Sequence, residues 1–86
     1  MARRRSAQTI AVSEYVTIGE LVRLTDSRYS TLKFYTEEGM LPFEQEGENL
    51  TRRYKRTEST ARIDFIRKLK SDGKTIPQIK AILAQI

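Results

Sequence analysis

Between Val16 and Pro42 the chain has room for two short helices joined by a tight turn, and for little else. Thr17-Ile18-Gly19-Glu20 has the spacing of a capping box, in which the Thr17 hydroxyl accepts from the amide near Glu20 while the Glu20 carboxylate reaches back to the cap amide. Ile18, Leu21, Val22 and Thr25 then recur at helical spacing, which predicts a first helix from about Ile18 to Leu24 with a narrow buried stripe. Thr25, Asp26 and Ser27 form the turn, because Asp26 tolerates the left-handed region and Ser27 is a suitable cap for the next helix. From Arg28 the second helix turns Thr31, Leu32 and Tyr35 inward, until Gly39 ends it and Pro42 prevents its resumption. Two helices at this spacing have the layout of a helix-turn-helix, whose second helix enters the major groove of DNA.

The flanking segments add a fold around that unit. Residues Met1 to Glu14 are polar and basic without a sustained period and read as a flexible arm, leaving 15–86 as the folded domain. After the acidic, turn-rich run EQEGEN, the stretches Leu41 to Phe43 and Thr51 to Tyr54 can pair as a small two-stranded wing. A third helix is predicted to begin near Thr57 to Ser59, to turn Ile63, Phe65, Ile66 and Leu69 inward and to end at Gly73. Thr75-Ile76-Pro77-Gln78 is a second capping box with proline in the first turn, and Ile79, Ile82, Leu83 and Ile86 form an apolar stripe behind it. That stripe reaches the last residue uncapped, so the helix is expected to continue in a longer natural protein. The fold class is therefore mainly α: a winged helix-turn-helix with four short helices and a small two-stranded β wing.

Composition narrows the partners. An apolar share of 38% in 86 residues supports one modest core shared by all the helices. Sixteen Lys and Arg against eleven Asp and Glu give +5, and the basic residues cluster at Arg3, Arg4 and Arg5 and again at Arg52, Arg53, Lys55 and Arg56. Each cluster alone reads as a solvated face, but beside a helix-turn-helix a basic run suits a polyanion. With no Cys and no His there is no thiolate or imidazole for a transition metal, so neither a metal site nor a cofactor is expected. Adjacent carboxylates such as Glu37 and Glu38 face different ways on a helix, and no catalytic residue is assigned. The stretch SAQTIAVSEY after the arginines is too short and polar for a signal peptide, and no apolar run is long enough for a membrane, so a cytoplasmic location is expected.

Read together, Tyr15 to Leu83 resembles the DNA-binding domain of the MerR superfamily over about four fifths of the chain. TIGEL at Thr17 to Leu21 resembles that family's opening, and TLKFYTEEGMLP at Thr31 to Pro42 is similar to its TLRYYExxGLL-P signature. TRRY at Thr51 to Tyr54 resembles its YRxY wing, and FIRKLKSDGKTIPQIKAIL at Phe65 to Leu83 the helical hairpin that braces the wing. The resemblance implies DNA contacts by Lys33, Phe34 and Tyr35 on the second helix and by Arg52, Arg53 and Tyr54 on the wing. Phe34 lacks the usual hydroxyl, and Ser30 stands where the family has Arg while Arg28 and Tyr29 precede it, which implies a changed sequence preference. The long dimerising helix and the effector domain of typical members are absent, so a small-molecule effector is not expected within this chain.

Chemistry assigns the roles. Lys33 and Arg28 are candidate base readers, since both can donate to guanine O6 or N7 and only Arg offers a bidentate fork. Tyr29 and Ser30 are outward neighbours, Tyr29 suited to a thymine methyl or a phosphate. Phe34 and Tyr35 are adjacent and cannot both face the core; Tyr35 is assigned inward with its hydroxyl at a phosphate, Phe34 toward sugar or methyl groups. Arg52, Arg53, Tyr54, Lys55 and Arg56 serve the backbone or the minor groove, alternating faces if the segment is extended. The amides after Thr17 and the arm residues Arg3, Arg4 and Arg5 are weaker candidates. The leading function is a sequence-specific double-stranded DNA-binding protein, a bacterial or mobile-element transcriptional regulator. The alternative is a plasmid partition (centromere-binding) or excisionase-type protein that coats repeated sites, and the sequence separates the two poorly. A third class, an adaptor using its basic surface on RNA or protein, would be recognised by equal competition from unrelated nucleic acids. Self-association is expected only on DNA, between adjacent copies, through the Ile79, Ile82, Leu83 and Ile86 stripe or the wing.

Overall fold

The computed structural model describes residues 5–48 and 50–86. Among them the order is α1 (Ala7–Val12), β1 (Tyr15–Val16), α2 (Ile18–Thr25), α3 (Tyr29–Glu37), β2 (Tyr54–Lys55), α4 (Arg56–Ser71) and α5 (Ile76–Leu83). Packing of α2 against both α3 and α4, with α5 on α4, gives a mainly helical winged helix-turn-helix. No helix among the described residues is long and apolar enough to cross a membrane.

Local chemistry sets most of the helix ends where the sequence predicts them. Both capping boxes form: Thr17 Oγ1 accepts from the Glu20 amide at 3.2 Å while Glu20 Oε1 accepts from the Thr17 amide at 2.9 Å, and Thr75 and Gln78 repeat the exchange before α5. Asp26 takes the left-handed conformation at φ 51° to end α2. At Gly39, φ 74°, the chain turns back so that the Met40 amide donates to Tyr35 O and the Gly39 amide to Thr36 O, the paired bonds of a Schellman motif. Lys74 and Gly73 close α4 in the same way on Leu69 O and Lys70 O. Ser27 is not the cap of α3. That position falls to Arg28, with no side-chain bond, because the Ser27 hydroxyl is drawn to Thr25 Oγ1 and to Arg67.

One core joins the helices: Leu21 from α2, Leu32 and Tyr35 from α3, Met40 and Leu41 after it, Ile63, Ile66 and Leu69 from α4, and Ile79 and Leu83 from α5. Phe65 and Ile82 are only partly covered. Since Ile79 and Leu83 are consumed in this core, the α5 stripe does not present itself whole for a contact between copies; Ile86 is its one fully exposed member.

Three expectations are corrected. The helix predicted to begin near Thr57 to Ser59 is α4 and starts at Arg56, a residue before that window, and the described residues hold five helices where four were expected. The sheet pairs β2 with β1, Tyr15 opposite Lys55 and Val16 opposite Tyr54, while the expected wing pairing reduces to a single Glu44–Arg53 bridge. The central segment 53–55 thus finds a partner on each side, and Pro42, lacking an amide, together with the exposed Phe43, leaves the Leu41–Phe43 side short.

The third correction concerns the arm, which over residues 5–14 is folded. Ile10 of α1 is buried in the core. Arg5 donates Nε and Nη2 to the two Glu20 oxygens, each at 2.6 Å, and adds Ser13 Oγ and Tyr15 O. Arg5 is therefore scaffold and not a free DNA-binding cation. Arg56 completes the tie, donating its amide to Glu14 O and Nε to Ser13 O. The physical reason is the burial of Glu20: with the residue only 9% exposed, its carboxylate needs a cation, and the basic run supplies one. Arg3 and Arg4 lie outside the described residues.

Two outcomes follow. Ile10→Ala is expected to destabilise the domain by about 2–5 kcal/mol in urea or thermal melts, as for a fully buried aliphatic, whereas a dispensable arm would leave the melt unchanged. The Arg5 guanidinium holds the Glu20 carboxyl below the usual carboxylate range. A lowered folded pKa contributes stability that is present above the unfolded pKa and lost as pH falls through the folded one. Arg5→Ala should accordingly lower the melting temperature at neutral pH, and its deficit should shrink as the solution is acidified through that window.

Candidate nucleic-acid interface

The outer side of α3 is the surface on which the sequence-predicted readers are gathered. Tyr29, Lys33 and Glu37, spaced by four, run along one flank. They line a recess with Thr17 and Ile18 at the start of α2 and with Gln45, Leu50, Thr51 and Arg52 from the wing. Ser30 and Phe34 stand exposed beside that row, Phe34 to 44%. Three separate segments thus contribute to one concave surface.

Within the recess the positions of the charges are set by contacts. Arg52 Nη1 donates to Glu37 Oε1 at 3.3 Å, and its guanidinium lies 4.6 Å from the centroid of the Phe43 ring. A flexible side chain is thereby held between a carboxylate and an aromatic face, ready to present its remaining donors. Gln45 Nε2 donates to Glu48 O and Leu50 O and braces the wing loop. Lys33 has no ion-pair partner among the described residues, and its exposed position on α3 points it to solvent.

The other wing candidates divide between two uses. Along the extended stretch the side chains alternate as predicted: Arg52 and Tyr54 border the α3 recess, while Arg53 and Lys55 border a second groove with Phe43, Phe65 and Ile86 on the opposite side. Arg53 pairs with Glu46 at 2.9 Å and lies over the Tyr15 ring. Tyr54 is corrected from a DNA contact to a core residue. It has no solvent exposure, and its hydroxyl is 3.0 Å from Thr36 Oγ1. The Thr36 proton is used on Leu32 O, so Tyr54 is the donor. Its strand pairing with Val16 turns the ring inward, which a pattern match to the wing motif does not reveal. Arg56, bound to Ser13 O, is likewise structural.

Tyr35 faces inward as assigned, 3% exposed. Arg28 does not share the recess of Lys33. It lies on the other flank of α3, together with Thr31, Tyr35, and Arg67 and Lys70 of α4. Neither of the α4 cations was singled out from the sequence, although their spacing of three on a helix that ends in basic residues was the available signal.

A family model for the MerR HTH family of regulatory proteins matches residues 16–86. The chain belongs to this family. It is therefore a DNA-binding helix-turn-helix domain of the transcription-regulator class. No curated protein and no solved structure gives a match. The matched span opens at β1, so α1 and Arg5 lie ahead of the family's own segment, although here they pack against it.

Tyr54→Phe separates the core role of this residue from a DNA-contacting one. The variant should lose about 1 kcal/mol of stability with its hydrogen bond to Thr36, while the folded protein keeps its DNA affinity. A large affinity loss at unchanged stability would return Tyr54 to the interface.

Proposed function

We propose that this domain is a sequence-specific regulator that docks α3 in the major groove of double-stranded DNA and rests its wing on the flanking backbone. The observation that carries the reading is the convergence of Thr17, Tyr29, Lys33 and Arg52, from three segments, on one exposed recess. Lys33 and Tyr29 lie toward the amino-terminal half of α3, the part of a recognition helix that meets base edges. Lys33 donates to a guanine, Tyr29 and Phe34 supply ring surface for thymine methyls or sugars, and Ser30 is short enough to let the helix approach closely. Arg52, already oriented by Glu37 and Phe43, takes a phosphate on the wing side, and amides at the start of α2 take another near Thr17. Membership of a regulator family favours promoter control over the coating of repeated partition or excision sites. Footprints that show one short inverted repeat at a promoter would agree with this choice; arrays of direct repeats would reverse it.

Selection of bound sequences from a random duplex pool supplies the cognate site. On that site Lys33→Ala should cost about 1–3 kcal/mol more than on random DNA, the signature of a base contact. Arg52→Ala should weaken both duplexes alike and flatten the dependence of log affinity on log salt by about one unit. Equal losses on both DNAs for Lys33→Ala, or an unaltered salt slope for Arg52→Ala, would remove the residue concerned from its role.

A further inference from the structure

Behind the wing, on the side opposite the α3 recess, the wing and α4 enclose a groove of about 490 Å³. That is within the range of small-ligand sites, about 300–1,000 Å³. Phe43, Phe65 and Ile86 give it an apolar wall, and all three keep surface in contact with solvent. Lys55, Ser59 and Arg62 supply a polar wall. Ser59 and Arg62 are three residues apart on α4 and so share a face of that helix. The docking described above uses none of these six residues except Phe43, whose ring supports Arg52.

Two polar groups of that wall have no partner within the fold. Ser59 is only 4% exposed, yet its hydroxyl makes no hydrogen bond among the described residues, unlike that of its neighbour Thr60. No buried side-chain oxygen among them is both sealed from solvent and unpartnered, so the Ser59 hydroxyl opens into the groove that the residue lines. Arg62 is half-buried, and its guanidinium forms neither an ion pair nor a hydrogen bond among the described residues. A guanidinium only donates, so what it lacks is an acceptor. The same end of α4 has no side-chain cap, and the positive pole of the helix adds to the preference for an anion. Glu44 and Glu58 also line the groove, but both stand exposed, where charges interact weakly, and Arg53 is paired with Glu46.

We infer that this groove binds a small amphipathic carboxylate, with its charged end on Ser59 and Arg62 and its aromatic or aliphatic body against Phe43, Phe65 and Ile86. A carboxylate meets the Arg62 fork in two parallel bonds and keeps a lone pair for the Ser59 hydroxyl, while Lys55 adds charge at the same wall. An inorganic anion would satisfy the polar wall and leave the apolar one in water, so an anion with an apolar body gains more by entering. The inference reverses the sequence-based expectation that no small-molecule effector binds within this chain, and it does not depend on the docking of α3. The two sites share one stretch of backbone, since Arg53 and Lys55 border this groove and Arg52 and Tyr54 the α3 recess.

The test is titration of the DNA-free protein with phenylbutyrate, followed by amide NMR, with the uncharged phenylbutyramide as control and folding checked by thermal melts. Phenylbutyrate should produce saturable shifts gathered around Phe43, Ser59, Arg62 and Phe65, and phenylbutyramide should bind roughly tenfold more weakly. Arg62→Gln should lose about the same factor for phenylbutyrate and nothing for the amide. Ser59→Ala should also weaken phenylbutyrate while leaving the melt unlowered, because its hydroxyl serves no partner within the fold. Shifts that are absent or scattered elsewhere, or equal binding of acid and amide, would overturn the inference, as would parental affinity in both variants. So would movement of the same amides on simple dilution of the ligand-free protein, which would make the groove a contact between two copies of the chain.

Discussion

Tyr54 is the residue on which the relation between wing and recognition helix depends. Its backbone pairs with Val16 in the sheet, its neighbour Arg53 bridges to Glu44, and its hydroxyl donates to Thr36 within α3. A single buried ring therefore links the first strand, the wing and the helix that carries Lys33. Because the ring is sealed in the core, the separation of Arg52 from Lys33 is governed by packing and not by loop flexibility. A domain of this size has one core with which to achieve this, and it uses a tyrosine where an aliphatic residue would fill space without the directional bond.

The amino-terminal residues show how a charge can change meaning once the chain folds. A run of arginines before a helix-turn-helix reads as an arm for a polyanion, and nothing local contradicts that. Yet Glu20, committed by the capping box to turn toward the start of α2, ends in a place with little solvent, and Arg5 is close enough to neutralise it. Ion pairing and the burial of Ile10 then make residues 5–14 a fourth side of the core. The ion pair and the capping box share one carboxylate, so ordering of α1 and definition of the α2 start are coupled.

Charge around α3 is organised by where that helix sits. Its wing flank presents Lys33 and Arg52 with Glu37 between them, and its other flank presents Arg28 with Arg67 and Lys70. Glu37 reduces the net charge of the first flank and fixes Arg52 in return. The wing flank thus carries the lower net positive charge and the flank beside α4 the denser cluster of cations. The exposed aromatic and small residues between the two flanks, Phe34 and Ser30, are the part of α3 with no ionic attachment, which suits them to shape contacts.

Much of the fold was legible in the sequence because it depends on interactions between near neighbours. The two capping boxes, the left-handed turn at Asp26, the stop at Gly39 and the inward faces of α2, α3 and α4 all follow from hydrogen bonds and periodicities that span at most a few residues. The motif order likewise led to the family that the comparison then showed. What only the tertiary structure decided are pairings across long separations: Tyr15–Val16 with Tyr54–Lys55, Arg5 with Glu20, Ser27 with Arg67. Each joins residues whose own surroundings allow several partners. Hence Tyr54 and Arg56, which looked like DNA ligands, became scaffold, Arg28 was separated from Lys33 onto the opposite flank, and Arg67 and Lys70 came to lie beside Arg28. Local chemistry determines where a helix starts and which face is apolar; only the packing of all five helices determines which charged side chains remain free to meet another molecule.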